Sequence, residues 1–332
     1  MAAHPMEEFL MVFLTVLAAL ICGEVQPPAP EWVPRLVLAE EAAEGFFPLF
    51  NGSDLDGWTV SGRHKSVFSV QDDILKVAGQ PEGGWLVTAE PYENFVLRYS
   101  FRMLDKMDAS VIGYGIGADG RPMTEQVLTA TACPPDRQPM EWNEAEVICR
   151  GDEVRMFIDG APWGDGPAGP GRIGIRDCGR MQFRNMRIKP LPGGAGWRRW
   201  DGSAGGLLPE SFDLQFRFKP SAGSRGGVAF GLADTPLFTV RVDNHHPEEF
   251  TGSLAGKAGA LELRAFDGRW NHMRIAVEGS NVCVWLNGKT VVDFVNTNNF
   301  SCAGAAVKFT VEHGLIEFED IEMKPKESHH GA

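Results

Sequence analysis

Phe95-Val96-Leu97-Arg98-Tyr99-Ser100-Phe101-Arg102 and Phe212-Asp213-Leu214-Gln215-Phe216-Arg217-Phe218-Lys219 share one pattern, a large apolar side chain at every second position with polar partners between. A period of two puts alternate side chains on opposite faces of an extended chain, so each stretch reads as a half-buried strand. The likeness extends outward. Trp142-Asn143 returns as Trp270-Asn271, and Asp159-Gly160 and Asn287-Gly288 follow, each glycine 18 residues after its tryptophan. Alternating stretches at 145–150 and 153–158 are mirrored at 273–278 and 281–286. Each copy therefore contains a β-hairpin, and Asp-Gly or Asn-Gly supplies the left-handed dihedrals of a tight type I′ turn. A closing block, Cys178-Gly179-Arg180-Met181-Gln182-Phe183-Arg184-Asn185-Met186-Arg187-Ile188-Lys189, aligns without a gap with His313-Gly314-Leu315-Ile316-Glu317-Phe318-Glu319-Asp320-Ile321-Glu322-Met323-Lys324. The chain is a tandem repeat.

A length of 332 residues suits two domains, and 39 Gly with 22 Pro leave little room for long helices. Short strands without a helical period between them predict two tandem antiparallel β-sandwiches, an all-β fold. Pro190 to Gly196 marks the boundary, giving domains over 44–192 and 195–326 and a tail at 327–332. Ahead of them, the apolar run at residues 9–23 is too short for a comfortable membrane span and reads as a signal-peptide core cleaved after Gly23. Pro27, Pro28, Pro30 and Pro34 make residues 24–43 a stiff linker. Export to the periplasm, cell envelope or medium follows. Membrane contact is expected only through that segment, if it is retained.

A formal net charge of −13 argues against nucleic acid and anionic membrane surfaces as partners, and leaves neutral ligands such as sugars open. Once Cys22 is set aside, Cys133, Cys149, Cys178, Cys283 and Cys302 show no Cys-x-x-Cys spacing, so a zinc site is not expected. Cys149 shares the strand parity of Ala145 and Val147 and reads as a buried thiol; one disulfide remains open. Gly113-Tyr114-Gly115-Ile116-Gly117 lacks the strand-to-helix setting of a dinucleotide site, so no cofactor is expected. Trp58, Trp85, Trp142 and Trp270 read first as core fillers, with sugar stacking the other use of such rings.

Phe47-Pro48-Leu49-Phe50-Asn51-Gly52-Ser53-Asp54-Leu55-Asp56-Gly57-Trp58, Gly83-Gly84-Trp85-Leu86, Glu141-Trp142-Asn143 and Phe183-Arg184-Asn185-Met186-Arg187-Ile188-Lys189 resemble the 3-keto-disaccharide hydrolase domain. The resemblance covers nearly all of residues 45–191 and, more weakly, 195–325. It implies a concanavalin-like or laminin-G-like jelly roll, export in bacteria, and hydrolysis or elimination at a 3-keto-glycoside. The carbonyl at C3 of such a sugar acidifies the C2 hydrogen, so one base and one group that holds the enolate suffice to expel the substituent at C1.

The family's polar strands are only partly kept. In the first copy, Glu125 and Asp177 are the acid or base candidates, with Trp85, Gln126 and Arg176 toward substrate. In the second, Arg225-Gly226-Gly227-Val228, Thr239-Val240-Arg241-Val242-Asp243 and Glu312-His313-Gly314 are the corresponding fragments. Asp243 with His245, or His313 with Glu312, forms an acid and base pair there, and Arg241 and His245 face substrate; a histidine titrates near neutral pH. Asp243, His245 and His246 lack further placed ligands, so no metal is assigned. The alternative function is a non-catalytic carbohydrate-binding or surface-interaction protein on the same two sandwiches.

Overall fold

The computed structural model describes residues 37–61, 67–79, 84–104, 112–116, 127–128, 140–167, 169–176, 179–200, 207–232, 235–295 and 301–326. The apolar run at 9–23 and the tail at 327–332 lie outside them. Among the described residues no helix is long and apolar enough to cross a membrane. Residues Pro34–Ala332 form one compact unit.

The first sandwich is built from β1 (Phe47–Pro48), β2 (Trp58–Ser61), β3 (Phe68–Gln71), β4 (Ile74–Ala78), β5 (Trp85–Tyr92), β6 (Phe95–Met103), β7 (Ile112–Ile116), β8 (Val127–Leu128), β9 (Asn143–Arg150), β10 (Glu153–Ile158), β11 (Ala161–Pro167), β12 (Gly171–Arg176) and β13 (Arg180–Pro190). Its larger sheet runs β11-β10-β9-β6-β13-β4-β3 with β1 added on β13, and its smaller sheet runs β2-β5-β12-β7-β8. The second is built from β14 (Arg198–Arg199), β15 (Phe212–Pro220), β16 (Arg225–Leu232), β17 (Thr235–Asp243), β18 (Asn271–Glu278), β19 (Asn281–Leu286), β20 (Lys289–Val295), β21 (Ala306–His313) and β22 (Ile316–Pro325). Its sheets run β14-β22-β15-β18-β19-β20 and β17-β16-β21. The two deciding stretches are β6 and β15, each inside the larger sheet of its copy.

Each sandwich closes on its own core. Phe95, Leu97, Tyr99 and Phe101 of β6 meet Leu86, Ile173 and Ile175 of the smaller sheet, and Phe212 of β15 stacks on Phe230 of β16 at 6.0 Å. Full burial of each such side chain contributes roughly 1.5–3 kcal/mol, and these rings hold the sheets together. Cys149, Cys283 and Cys302 are free thiols. Cys149 lies in the first core and Cys302 in the second.

The repeated signals do the same local work in both copies. Asp159 and Gly160 (φ 49° and 77°) turn β10 into β11, and Asn287 and Gly288 (φ 50° and 78°) turn β19 into β20. The turn side chain also stitches the hairpin to its neighbour: Glu144 N donates to Asp159 Oδ1 at 2.8 Å, and His272 N to Asn287 Oδ1 at 2.9 Å. Asn143 and Asn271 are both buried and donate to the carbonyls two residues back, those of Glu141 and Arg269. Asn185 in β13 and Asp320 in β22 fall at the same aligned place, and both carry a left-handed φ (53° and 50°) at a register shift.

Two expectations are corrected. Trp142 and Trp270 do not fill the cores. Each precedes its strand on the outward face of the larger sheet and lies under cations, Arg184 at 4.0 Å and Arg102 at 4.6 Å for Trp142, Arg217 at 4.9 Å for Trp270. A large ring covered by guanidinium groups that alternate with core residues satisfies both its apolar body and the charges. Trp58 does sit in the core, and Trp85 is half-buried. The stretch read as linker ends in a short helix, α1 (Ala39–Glu44), capped by Gly45 at φ 98°. Its Glu41 is buried and receives Arg187 at 2.6 Å and Arg98 at 3.0 Å from the outward face of the larger sheet.

The sandwiches meet through the outward face of the second copy's larger sheet. Thr290 Oγ1 donates to Glu90 Oε1 at 3.1 Å, Trp197 Nε1 to Glu93 Oε2 at 3.0 Å, and Gly193 N to Glu322 at 2.8 Å. Lys289 pairs with Asp56, and Arg217 donates to the Glu44 carbonyl at 3.3 Å, closing the end of α1.

Candidate functional site

In the second copy the three family fragments become neighbours. Arg225 opens β16, Asp243 ends β17 and His313 ends β21, and the register places Arg225 directly opposite both Asp243 and His313. Strands far apart in sequence thus deliver their polar ends to one edge of a three-stranded sheet. Gly226 and Gly227 fit here for a steric reason: an added Cβ would stand 2.2 Å from the Thr310 carbonyl oxygen and 2.4 Å from that of Val240. Any side chain would force the three strands apart.

The side chains make one ionic cluster on the face turned away from the core. Arg241 contacts Glu312 at 2.7 Å and Glu249 at 3.0 Å, and Arg225 contacts Glu312 at 3.3 Å, Glu249 at 3.5 Å and Asp243 at 3.6 Å. Asp243 has a side chain only 2% exposed; its Oδ1 accepts from His245 N at 3.0 Å, a turn that ends β17. That turn carries the next residue back, so His246 Nδ1 lies 2.6 Å from Asp243 Oδ2 with its ring 60% exposed. Asp243 Oδ2 has no hydrogen-bond partner among the described residues, so this is a close contact at Nδ1 and not a hydrogen bond.

The pairing expected from sequence is therefore changed. Asp243 stands against His246, not His245, whose Nε2 lies 2.8 Å from Asp267 Oδ2 and 3.0 Å from Gly223 N. Glu312 is engaged by the two arginines, and Asp243 and His313, on the strands flanking β16, are two strand spacings apart, about 10 Å. Arg241 lies in the cluster, its charge met by two carboxylates. Sequence reasoning missed His246, Arg225 and Glu249 as members. Three-residue spacing across a strand end could have pointed to His246.

In the first copy, Trp85 and Arg176 are cross-strand neighbours on β5 and β12. Glu125, Gln126 and Asp177 lie outside the described residues. Trp85 and Arg176 stand on the smaller sheet of the first sandwich and the Asp243 cluster on the smaller sheet of the second, so the two sets belong to different sheets. Among the described residues no group of three or more His, Cys, Asp or Glu side chains is arranged to hold a metal ion.

A second polar locus lies at the junction of the sandwiches. A partly open cavity of about 130 Å³ is lined by Glu90, Tyr92 and Asn94 from the first copy and by Asp213, His272, Arg274 and Trp285 from the second, among others. Burial pushes the Glu90 carboxyl up to about 7, against the pull of Thr290 and Arg274. Burial, with repulsion from Arg274 and Arg217, pushes His272 down to about 3, so its ring is neutral.

No curated protein matches the sequence. Among solved structures, the chain is similar to a Parabacteroides distasonis protein provisionally assigned as a glycosyl hydrolase, at 21% identity and TM-score 0.37, covering 47% of this chain and 98% of that one. A second such protein of the same organism gives 17% identity and TM-score 0.36, covering 44% and 99%. The carbohydrate-binding module CBM66 of Bacillus subtilis gives 10% identity and TM-score 0.33, covering 40% and 95%. The family model of the 3-keto-alpha-glucoside-1,2-lyase-like domain matches residues 45–129 and 209–324. It stops inside the first sandwich but spans nearly all of the second, the copy that the sequence alone marks as the more diverged. With more than half of its residues matched, the chain belongs to the 3-keto-alpha-glucoside-1,2-lyase-like domain family, and its function is carbohydrate-related.

Proposed function

We propose that the chain cleaves a 3-keto-glycoside by elimination, with the second sandwich as the working copy and His246 as the base. The reading rests on one observation: three family fragments converge at the edge of β17-β16-β21, where buried Asp243 stands 2.6 Å from an exposed imidazole. With Nδ1 facing Asp243, Nε2 takes the proton from C2 of the sugar. The C–H electrons form a C2=C3 double bond and the carbonyl oxygen becomes an enolate. Arg225, beside Asp243 at 3.6 Å with about a third of its side chain exposed, is the cation assigned to hold that oxygen. Return of the electrons rebuilds the C3 carbonyl, forms C1=C2 and expels the C1 oxygen, which takes the proton from the imidazolium. Water adding across C1=C2 converts the same step into net hydrolysis.

Incubation with a 3-keto-disaccharide, followed by the released sugar and the absorbance of the conjugated enone, tests this. His246→Ala should lose about 10²-fold or more in kcat/KM, the ordinary share of a general base, and Asp243→Asn a smaller factor. Wild-type protein that binds the sugar without turning it over overturns the catalytic reading. The non-catalytic binding protein then takes its place, a role that the carboxylates of Glu249 and Glu312, which neutralise both arginines, also suit.

A further inference from the structure

We propose that the cleft between the two sandwiches is a second binding site, separate from the Asp243 cluster, that takes a small neutral polyol about one sugar ring in size. The cleft exists because the outward face of a sheet that would otherwise meet water is roofed by the other copy. Asp213, His272, Arg274 and Trp285 occupy alternate positions on β15, β18 and β19, opposite the core residues of those strands. The end of β5 and the β5–β6 turn, at Glu90, Tyr92 and Asn94, close over them without filling the space.

The chemistry left in that space selects the ligand. Asp213 is met by Arg274 at 2.9 Å and Lys326 at 3.2 Å, and Lys326 also meets Glu278 at 2.5 Å, so two cations balance two carboxylates and neither sign of charge is left over from that group. Burial pushes the Glu90 carboxyl, which also faces in, up to about 7 against the hydrogen bonds from Thr290 and Trp285, and Glu93, the third carboxyl of the lining, pairs with Lys324 at 3.6 Å. An anion or cation therefore meets no excess countercharge. The His272 ring makes no hydrogen bond or ion pair among the described residues, yet it offers one donor and one acceptor to the cavity. Leaving such a group unsatisfied inside a protein is unfavourable, and a hydroxyl-rich ligand or its water replacement relieves it. Trp285 and Tyr92 add apolar rings beside these polar groups, the pairing that a sugar ring with one C–H face requires. At about 130 Å³ the space is well under the range of roughly 300–1,000 Å³ that takes drug-sized ligands, so a single ring fits and a chain does not.

Because both sandwiches line the cleft, an occupant bridges them. The test uses the full chain and isothermal titration calorimetry with D-glucose, D-glucuronate and D-glucosamine. Glucose should bind saturably with a Kd of about 1 mM and raise the melting temperature, the two charged analogues at least about tenfold more weakly. His272→Phe, which fills the space, should weaken glucose about tenfold or more, and Trp285→Ala, which removes the ring beside the polar groups, about tenfold. The second variant decides the matter if the first melts early. His246→Ala should bind glucose as wild type does, which separates this site from the elimination chemistry. Absence of saturable glucose binding, equal binding by both cleft variants, or loss of binding in His246→Ala would overturn the proposal.

Discussion

Gly288 serves two structures at once. Its φ of 78° belongs to the left-handed region, and an added Cβ would also stand 2.7 Å from the Tyr92 hydroxyl and 3.0 Å from the Phe47 ring of the first sandwich. Gly160, at φ 77° in the equivalent turn, has nothing within 4 Å of that position. Gly160→Ala therefore measures the backbone cost alone, about 1–2 kcal/mol. Gly288→Ala should lose that and more, because the hairpin must also move off its neighbour. Chemical denaturation of the two variants side by side checks the difference, and equal losses would mean that the hairpin does not bear on Tyr92. The same scale explains why His246 escaped notice. Strict alternation pairs Asp243 with His245, but β17 ends at Asp243 and the following turn breaks the alternation, bringing His246 back beneath it. Residue type was legible in the sequence, and partnership across a turn was not.

Among the elements, helix α1 depends on one carboxylate. Burial alone would push Glu41 up, but the hydrogen bonds from Arg187 and Arg98 outweigh it and hold the carboxyl below its ordinary range. A depressed pKa means that this stabilisation is present above the unfolded value near 4.5 and is lost as pH falls through the folded one. Glu41→Gln should cost about 1.5–3 kcal/mol, the range for hydrogen bonds to a charged group, and should speed amide exchange over Ala39–Phe46 without altering exchange in the core strands. Unchanged exchange in the helix would show that packing, not charge, seats it. The strands themselves were readable because a two-residue period with turn dipeptides is a local signal, as in β6, β15 and both hairpins. Helix α1 was not, since six residues that bury only Glu41 and Ala42 carry no periodic signature.

At the scale of the whole molecule, the sandwiches are joined by a face whose residues read in sequence as ordinary solvent-facing positions. Nothing in the alternation of Asp213, Gln215, His272 and Arg274 distinguishes a face turned to water from one turned to another domain, so the cleft could not be read from the sequence. Its chemistry makes the join pH-sensitive. Glu90 rises from 4.5 to about 7 in the folded protein, so the folded state holds a proton that the unfolded chain has already released. The associated stability is fully present below about pH 4.5 and is lost as pH climbs through 7, a change on the order of 3 kcal/mol. Melting temperatures between pH 4.5 and 8 should fall in the wild type relative to Glu90→Gln, which has no proton to lose; parallel curves would refute the assignment.

The thiols described above give the molecule built-in reporters of its own opening. Cys149 is sealed in one core and Cys302 in the other, while Cys283 projects from β19 among the residues around the join, near enough to feel the charge of Glu90. Burial raises all three pKa values, with Cys283 and Cys302 pushed up to about 12, so little thiolate is present while the structure is closed. Alkylation at each position is then gated by a different motion: breathing of the first sandwich, breathing of the second, or separation of the two. Timed labelling of the native chain, read by peptide mass, would rank those three events in order of rate without a single engineered probe.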